Sequence, residues 1–370
     1  MTEPEGGGSR RKAIVIGVAV AAVALGAVLA FVLLRGDEEP EPAPTSTTTT
    51  VTTTTQPPTG PVAPLTGLRV PEDRASLLER PALAVKVDNH PNAVSQWGLA
   101  DADVVLELQV EGISRFLAVY HSQDVGDVGP VRSARTSDPD LLAMFGRPLT
   151  AWSGANPATT SIMRSLDWIQ DVSVDRLRGA YRRVDLRRAP HNLVLDARQA
   201  FAAADEPAVV PTPLFTYRDE DELPEGEPVP GVSIGVGLSR SEYVWDEERA
   251  GWLRWSGGEP LHAAPEGDRA GEQVAPANVV VLETSYGRSA ADPRSPEAIS
   301  LGEGRAWIYT AGRLVEGRWE RHERTQPWTL TRPDGSPVLL TPGTTWVAMP
   351  AVGSAPELLT AEAAAGLRDA

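Results

Sequence analysis

The string Ala189-Pro190-His191-Asn192 is the most enzyme-like in the chain. Imidazole changes charge near neutral pH, which makes His191 the best general-base candidate among the five histidines. Its possible carboxylate partners are Asp88 and Glu107. Asp88 opens the run Asp88-Asn89-His90-Pro91-Asn92, an Asx-rich turn at the C-terminal end of an expected strand, where α/β folds commonly place sites. Asn89, His90 and Asn192 join these as ligand-contacting candidates. Glu107 and Glu111 share a strand face, but four residues at about 3.3 Å each separate them by roughly 13 Å. A glycosidase pair needs about 5–9.5 Å, so the two do not form one. The Gly-x-Ser-x-Gly at 231–235 opens the run of short strands in the second half and is not followed by an expected helix, and a hydrogen-bonded structural histidine is the competing reading of His191. His90, His121 and His191 lack His-x-x-His or His-Glu-x-x-His spacing, so neither a metal nor a cofactor is expected.

A second pattern suits anions. The loop 129–138, Gly-Pro-Val-Arg-Ser-Ala-Arg-Thr-Ser-Asp, runs into an expected helix start whose free N–H groups favour negative charge. Arg132 and Arg135 can add bidentate contacts to phosphate or carboxylate, unless Asp138 and Asp140 pair with them. Six arginines fall within 176–188, Arg187 among them, diluted by Asp175 and Asp185. They read as either a solvated, partly paired surface or a local basic patch. Seven of the ten Trp follow residue 244 and suit strand core or sugar stacking.

The elements that must hold these residues alternate in the first half. Strands are expected at 82–88, 103–111 and 116–121, and helices at 138–145, stopping at Gly146, and 157–169. Within 103–111, Val104, Leu106, Leu108 and Val110 share one face; Val105, Glu107, Gln109 and Glu111 share the other, which reads as a face covered by water. The second half reads as short strands between 232 and 349, with turns at Thr310-Ala311-Gly312 and Pro333-Asp334-Gly335 and a helix in the tail. The expected fold is α+β in two domains: a mixed α/β domain (65–210), a linker (211–230), a β-rich sandwich or barrel-like domain (231–352) and a tail (353–370).

Residues 13–34 are all apolar or Gly, long enough at 1.5 Å per residue to cross a bilayer core of about 30 Å. Arg10, Arg11 and Lys12 precede the run, so the N-terminus (1–12) is expected in the cytoplasm and the remainder outside, on an uncleaved single-pass anchor. Residues 35–64 turn to Pro, Thr and acid and read as an extended stalk. The chain of 370 residues has no Cys and a net charge of −16. Disulfides, thiolate metal sites and a lipid-attachment cysteine are thereby excluded, and a general nucleic-acid binder is disfavoured. Most of that charge belongs to the second half: residues 65–210 carry −3 and residues 211–370 carry −11.

Several long strings together resemble the YerB-like lipoprotein family of bacterial extracytoplasmic proteins. They are PLTGLRV (64–70), RPALAVKVDNHPNA (80–93), ADVVLELQVEGISRFLAVYHSQ (102–123), VGPVRSARTSD (128–138), WSGANP (152–157) and RRAPHNL (187–193). APANVVVLET (275–284), GRLVEGRWER (312–321) and LLTPGTTWVAMP (339–350) extend the likeness through the second half. The resemblance implies two domains outside the membrane and supplies no reaction. Here the apolar run stands where the family carries a lipidated cysteine. The residues favour a protein that binds an anionic envelope component or a protein partner, with Arg132, Arg135 and Arg187 on anion oxygens and His191 orienting the ligand. An envelope hydrolase or transferase using His191 with Asp88 or Glu107 is the rival, and a protein–protein scaffold the third reading.

Overall fold

The computed structural model describes residues 59–219, 221–266 and 269–369. The expected anchor at 13–34, the cytoplasmic segment and the stalk up to residue 58 lie outside the described residues. Among the described residues no helix is long and apolar enough to cross a membrane.

The first half supplies β1 (Leu83–Val87), β2 (Val104–Gln109), β3 (Ser114–Tyr120), β4 (Asp127–Val128), β5 (Leu149–Ala151), β6 (Gln170–Asp171), β7 (Tyr181–Arg183) and β8 (Leu193–Asp196). Between them lie α1 (Asp138–Leu142), α2 (Pro157–Ser165) and, after β8, α3 (Ala197–Ala202). The second half supplies β9 (Glu227–Pro228), β10 (Gly231–Val236), β11 (Ser239–Asp246), β12 (Gly251–Ser256), β13 (Glu259–Pro260), β14 (Asn278–Leu282), β15 (Ser285–Arg288) and β16 (Pro296–Ile299). It continues with β17 (Gly302–Thr310), β18 (Arg313–Arg321), β19 (Thr329–Thr331), β20 (Thr345–Met349), β21 (Glu357–Leu358) and α4 (Ala361–Asp369).

The two halves share one sheet of eleven strands, in the order β19-β18-β17-β14-β20-β2-β3-β1-β5-β6 with β9 on β18. The seam is the parallel pair β20 with β2, registered from Val104–Thr345 to Leu108–Met349. A five-stranded sheet, β13-β12-β11-β10-β21, covers one face of the large sheet. Its Val232, Ile234, Tyr243 and Trp252 join Val105, Phe116, Val279 and Trp346 in one core. The opposite face packs Leu106, Leu117 and Val280 against Leu141, Leu142 and Trp152. The chain as a whole is therefore α+β, and its second half is β-rich.

Local chemistry sets the boundaries. Asn156 accepts the Thr159 N–H at 2.7 Å and caps α2, with Pro157 at the first helical position. Gly146 ends the turns after α1 at φ +73°, a region costly for other residues. The β17–β18 hairpin turns on Ala311 (φ +47°) and Gly312 (φ +74°), the positive pair that matches strand twist. Not every part of the second half expected as short strands forms a ladder: 337–340 makes only isolated bridges, Thr331 to Pro337 and Tyr217 to Leu340, and Pro337 has no N–H to give.

His121 directly follows β3, fully buried, with Nε2 3.1 Å from the Arg80 carbonyl. Burial first, and then the Arg80 charge, push its pKa down to about 4. The folded chain refuses a proton that the unfolded chain accepts below about pH 6.5, so this contribution to stability is complete above 6.5 and is lost as pH falls towards 4. Urea midpoints measured from pH 7 to 4.5 are expected to fall less steeply in His121→Gln than in the wild type. Parallel curves would contradict the assignment.

Candidate functional site

Three backbone segments meet at the end of β1. The Asp88 N–H donates to the Pro130 carbonyl at 2.9 Å, the Arg132 N–H to Lys86 at 2.8 Å, and the Val131 N–H to Leu193 at 2.7 Å. The last contact requires Gly129, where an added Cβ would lie 2.7 Å from the Leu193 oxygen. The loop 129–132 is thus laid between β1 and β8, carrying Arg132 and the segment around His191 to Asp88.

Asp88 is 0% exposed and stands at the centre of this junction. His191 Nδ1 lies 2.7 Å from its Oδ2, and the His90 backbone N–H donates to Oδ1 at 3.2 Å. Arg132 Nε sits 3.0 Å from the same Oδ2 but makes no hydrogen bond there, so charge rather than a directed bond holds it. The His191 side chain is 14% exposed and that of Arg132 23%, so both reach from one buried oxygen towards solvent. An ionised carboxylate only accepts, so Nδ1 carries the proton of a neutral His191 and Nε2 is left bare. His90 stacks on His191 with centroids 4.4 Å apart and accepts the Asn92 N–H at Nδ1.

Beneath this surface lies Arg115, 4% exposed. Its Nε and Nη1 are buried without a hydrogen-bond partner among the described residues, and its Nη2 stands 3.9 Å from Asp88 Oδ1. Burial, then the Arg135 charge, lower its pKa to about 10, still far above neutral, so it remains a cation. Two guanidinium charges therefore face one carboxylate at Asp88. On either side the charges are matched. Lys86 Nζ donates to Asp138 Oδ1 at 2.8 Å with both side chains buried. Arg135 reaches Glu111 at 2.7 Å. Burial acts to raise the Glu111 carboxyl, but the hydrogen bond and charge of Arg135 prevail and hold it down to about 2.

The other candidates point elsewhere. Arg135 is committed to Glu111 and to the Ala134 carbonyl, and it lines a separate polar cavity of about 260 Å³ with Ser133, Asn156 and Ser295. Arg187 donates to the carbonyls of Ala93 (2.7 Å) and Ser95 (2.6 Å) and lies over Trp97, clamping the loop after Asp88. Asn89 donates to Ser114 Oγ in the interior. Asn192 bridges Arg183 and the Val184 carbonyl across the β7–β8 hairpin. Much of the arginine run is paired, Arg182 with Asp127 and Arg176 with Asp171.

Glu107 faces the opposite side of the sheet from Asp88. It is 2% exposed and accepts from Ser114 Oγ (2.5 Å) and Trp346 Nε1 (2.9 Å), with the fully buried Arg254 at 3.4 Å. The face read as water-covered is covered by the five-stranded sheet. Trp252, Trp255, Trp307, Trp319, Trp328 and Trp346 are all buried, which leaves them to the core rather than to sugar rings.

Sequence reasoning missed Arg115, Lys86 and Arg254. The available signal was a cation inside an apolar strand: Lys86 within Leu83–Val87, Arg115 beside Phe116-Leu117-Ala118-Val119, and Arg254 between Leu253 and Trp255.

Two family models match the chain, the N-terminal domain of the protein of unknown function DUF3048 at residues 65–209 and its C-terminal domain at 232–347. The chain is 29% identical over 296 residues to the putative lipoprotein YerB of Bacillus subtilis (strain 168), spanning 77% of this chain and 85% of that one. It superposes on the crystal structure of the YerB protein from Bacillus subtilis with a TM-score of 0.69 at 26% identity, covering 80% of this chain and 99% of that one. Shared domains, sequence and fold place this chain in the YerB-like, DUF3048 family.

Proposed function

We propose that this is a membrane-associated extracytoplasmic protein that binds an anionic ligand at Arg132, with Arg115 behind it and His191 beside it. One observation carries the reading: Arg115 is buried with two nitrogens unpartnered, and Asp88 alone cannot balance Arg115 and Arg132 together. An uncompensated buried cation costs several kcal/mol, and an anion docked against it recovers part of that cost. The Nη atoms of Arg132 hold no hydrogen bond among the described residues, which leaves its fork for phosphate or carboxylate oxygens. Location is supported by the basic-then-apolar run at 10–34 and by a relative named as a putative lipoprotein. An anionic envelope component is the ligand class that fits this location.

The test is calorimetric titration of the full chain in detergent with inorganic phosphate. Arg132→Ala removes a charge-assisted contact worth about 1.5–3 kcal/mol, so affinity is expected to fall tenfold or more. Arg178→Ala, an exposed change in the arginine run, is expected to leave it unaltered. Equal affinity in Arg132→Ala and wild type would refute the reading, as would no binding at all.

A further inference from the structure

We infer that His191 is the general base of a hydrolytic site acting on carboxylic esters of an anionic molecule. The inference rests on the anion site above, because Arg132 serves both.

The geometry supplies three parts of such a site. His191 Nδ1 lies 2.7 Å from Asp88 Oδ2, so Nε2 is the ring nitrogen not used on that carboxylate, in a side chain that is 14% exposed. Asp88 is fully buried and held by the His90 N–H as well, so the imidazole has one orientation. Arg132 leans on the same carboxylate oxygen as His191, so a guanidinium stands next to the base. A water or substrate hydroxyl at His191 Nε2 would lie beside a cation suited to an oxyanion.

The step balances without a cofactor. His191 Nε2 takes a proton from water as the water oxygen forms a bond to the ester carbonyl carbon. The carbonyl π electrons move onto oxygen, and Arg132 stabilises that oxyanion. Collapse of the tetrahedral species breaks the bond to the alkoxy oxygen, which takes the proton back from His191 Nε2. Asp88 stays ionised and supports the imidazolium, acting as a positioning residue.

Acyl rather than phosphoryl chemistry follows from the histidine stack. In-line displacement at phosphorus needs acid and base on opposite sides of the phosphorus atom. The rings of His90 and His191 lie against each other at 4.4 Å, interplanar angle 24°, and cannot flank one. At a tetrahedral carbon the entering and leaving oxygens are neighbours, and one imidazole serves both.

The experiment uses the full chain in detergent with p-nitrophenyl acetate and bis(p-nitrophenyl) phosphate as probes. The acetate is expected to be hydrolysed above the buffer rate, with kcat/KM falling at least about 100-fold in His191→Gln, the usual scale of acid–base catalysis. Inorganic phosphate is expected to inhibit competitively, with an inhibition constant equal to its dissociation constant. Because His191→Gln perturbs a junction, long-range 1H–15N spectra of the wild type provide a second check, with the proton expected on His191 Nδ1 and none on Nε2. Phosphate binding without His191-dependent ester hydrolysis would overturn the inference and leave the anion reading intact. His191-dependent hydrolysis in a protein that does not bind phosphate would refute the anion reading and with it the anionic substrate class, leaving only the assignment of His191 as base. Faster turnover of the phosphodiester than of the acetate would overturn the acyl assignment.

Discussion

Glu107→Ala is expected to destabilise the fold by about 3–5 kcal/mol, the usual cost of breaking a buried ion pair from one side. Glu107 holds three donors in the core between the two sheets: Ser114, Trp346 and Arg254. Arg254 is 0% exposed and also bonds Ser241 at 2.6 Å and the Tyr243 hydroxyl at 3.0 Å, neither of which carries a negative charge. Its guanidinium lies 4.3 Å from the centroid of the Trp346 ring and near those of Phe116 and Tyr243, and among the described residues Glu107 is the carboxylate it pairs with. Removing Glu107 leaves that cation without its counter-charge. The check is a denaturant midpoint converted to free energy with the slope held to the wild-type value. The double variant Glu107→Leu with Arg254→Met removes both charges and is expected to recover most of the loss. Equal losses in the single and double variants would show that packing rather than charge is responsible.

Asp88→Ala is the second large effect. It is expected to lower stability by about 3–5 kcal/mol as well, because Arg115 and Arg132 would then repel across a buried gap. Here the anion site adds a signature that an ordinary core substitution lacks. Phosphate supplies the missing negative charge, so it is expected to raise the melting temperature of Asp88→Ala more than that of the wild type. Chloride at the same ionic strength controls for screening. An equal rise in both proteins would mean that phosphate does not reach this cluster.

The contrast between these two carboxylates shows what a sequence can reveal. The strand carrying Glu107 was legible from its alternation; β1 and β2 lie within the spans the pattern expects, while β3 begins earlier than its expected start at 116, at Ser114. The same alternation made the Glu107 face look solvated, because the residue that neutralises it is 147 positions away on a strand of another sheet. Asp88 and His191 were legible singly, by residue type and by their place at strand ends. Their contact bridges 103 positions and depends on the loop 129–132 fitting against Leu193. The arginines divide in the same way. Arg132, Arg135 and Arg187 stand in similar polar strings, yet only the fold shows that Arg187 bonds two carbonyls and Arg135 a carboxylate, while the Arg132 fork stays open. Arg115 stands beside an apolar stretch, but an arginine at the start of a strand is as easily exposed as buried. Its near-complete burial is a property of the sheet.

The uncompensated charge at Asp88 is expected to receive an anion, and side-chain Nε–Hε correlation spectra of the 15N-labelled full chain in detergent, recorded during titration with inorganic phosphate, read this out at the arginines themselves. The expected result is saturable shifts of the Arg115 and Arg132 resonances with a common dissociation constant, and a still Arg254 signal on the far face of the sheet. Shifts confined to exposed arginines such as Arg178 and Arg188, with Arg115 and Arg132 unmoved at saturation, would contradict it.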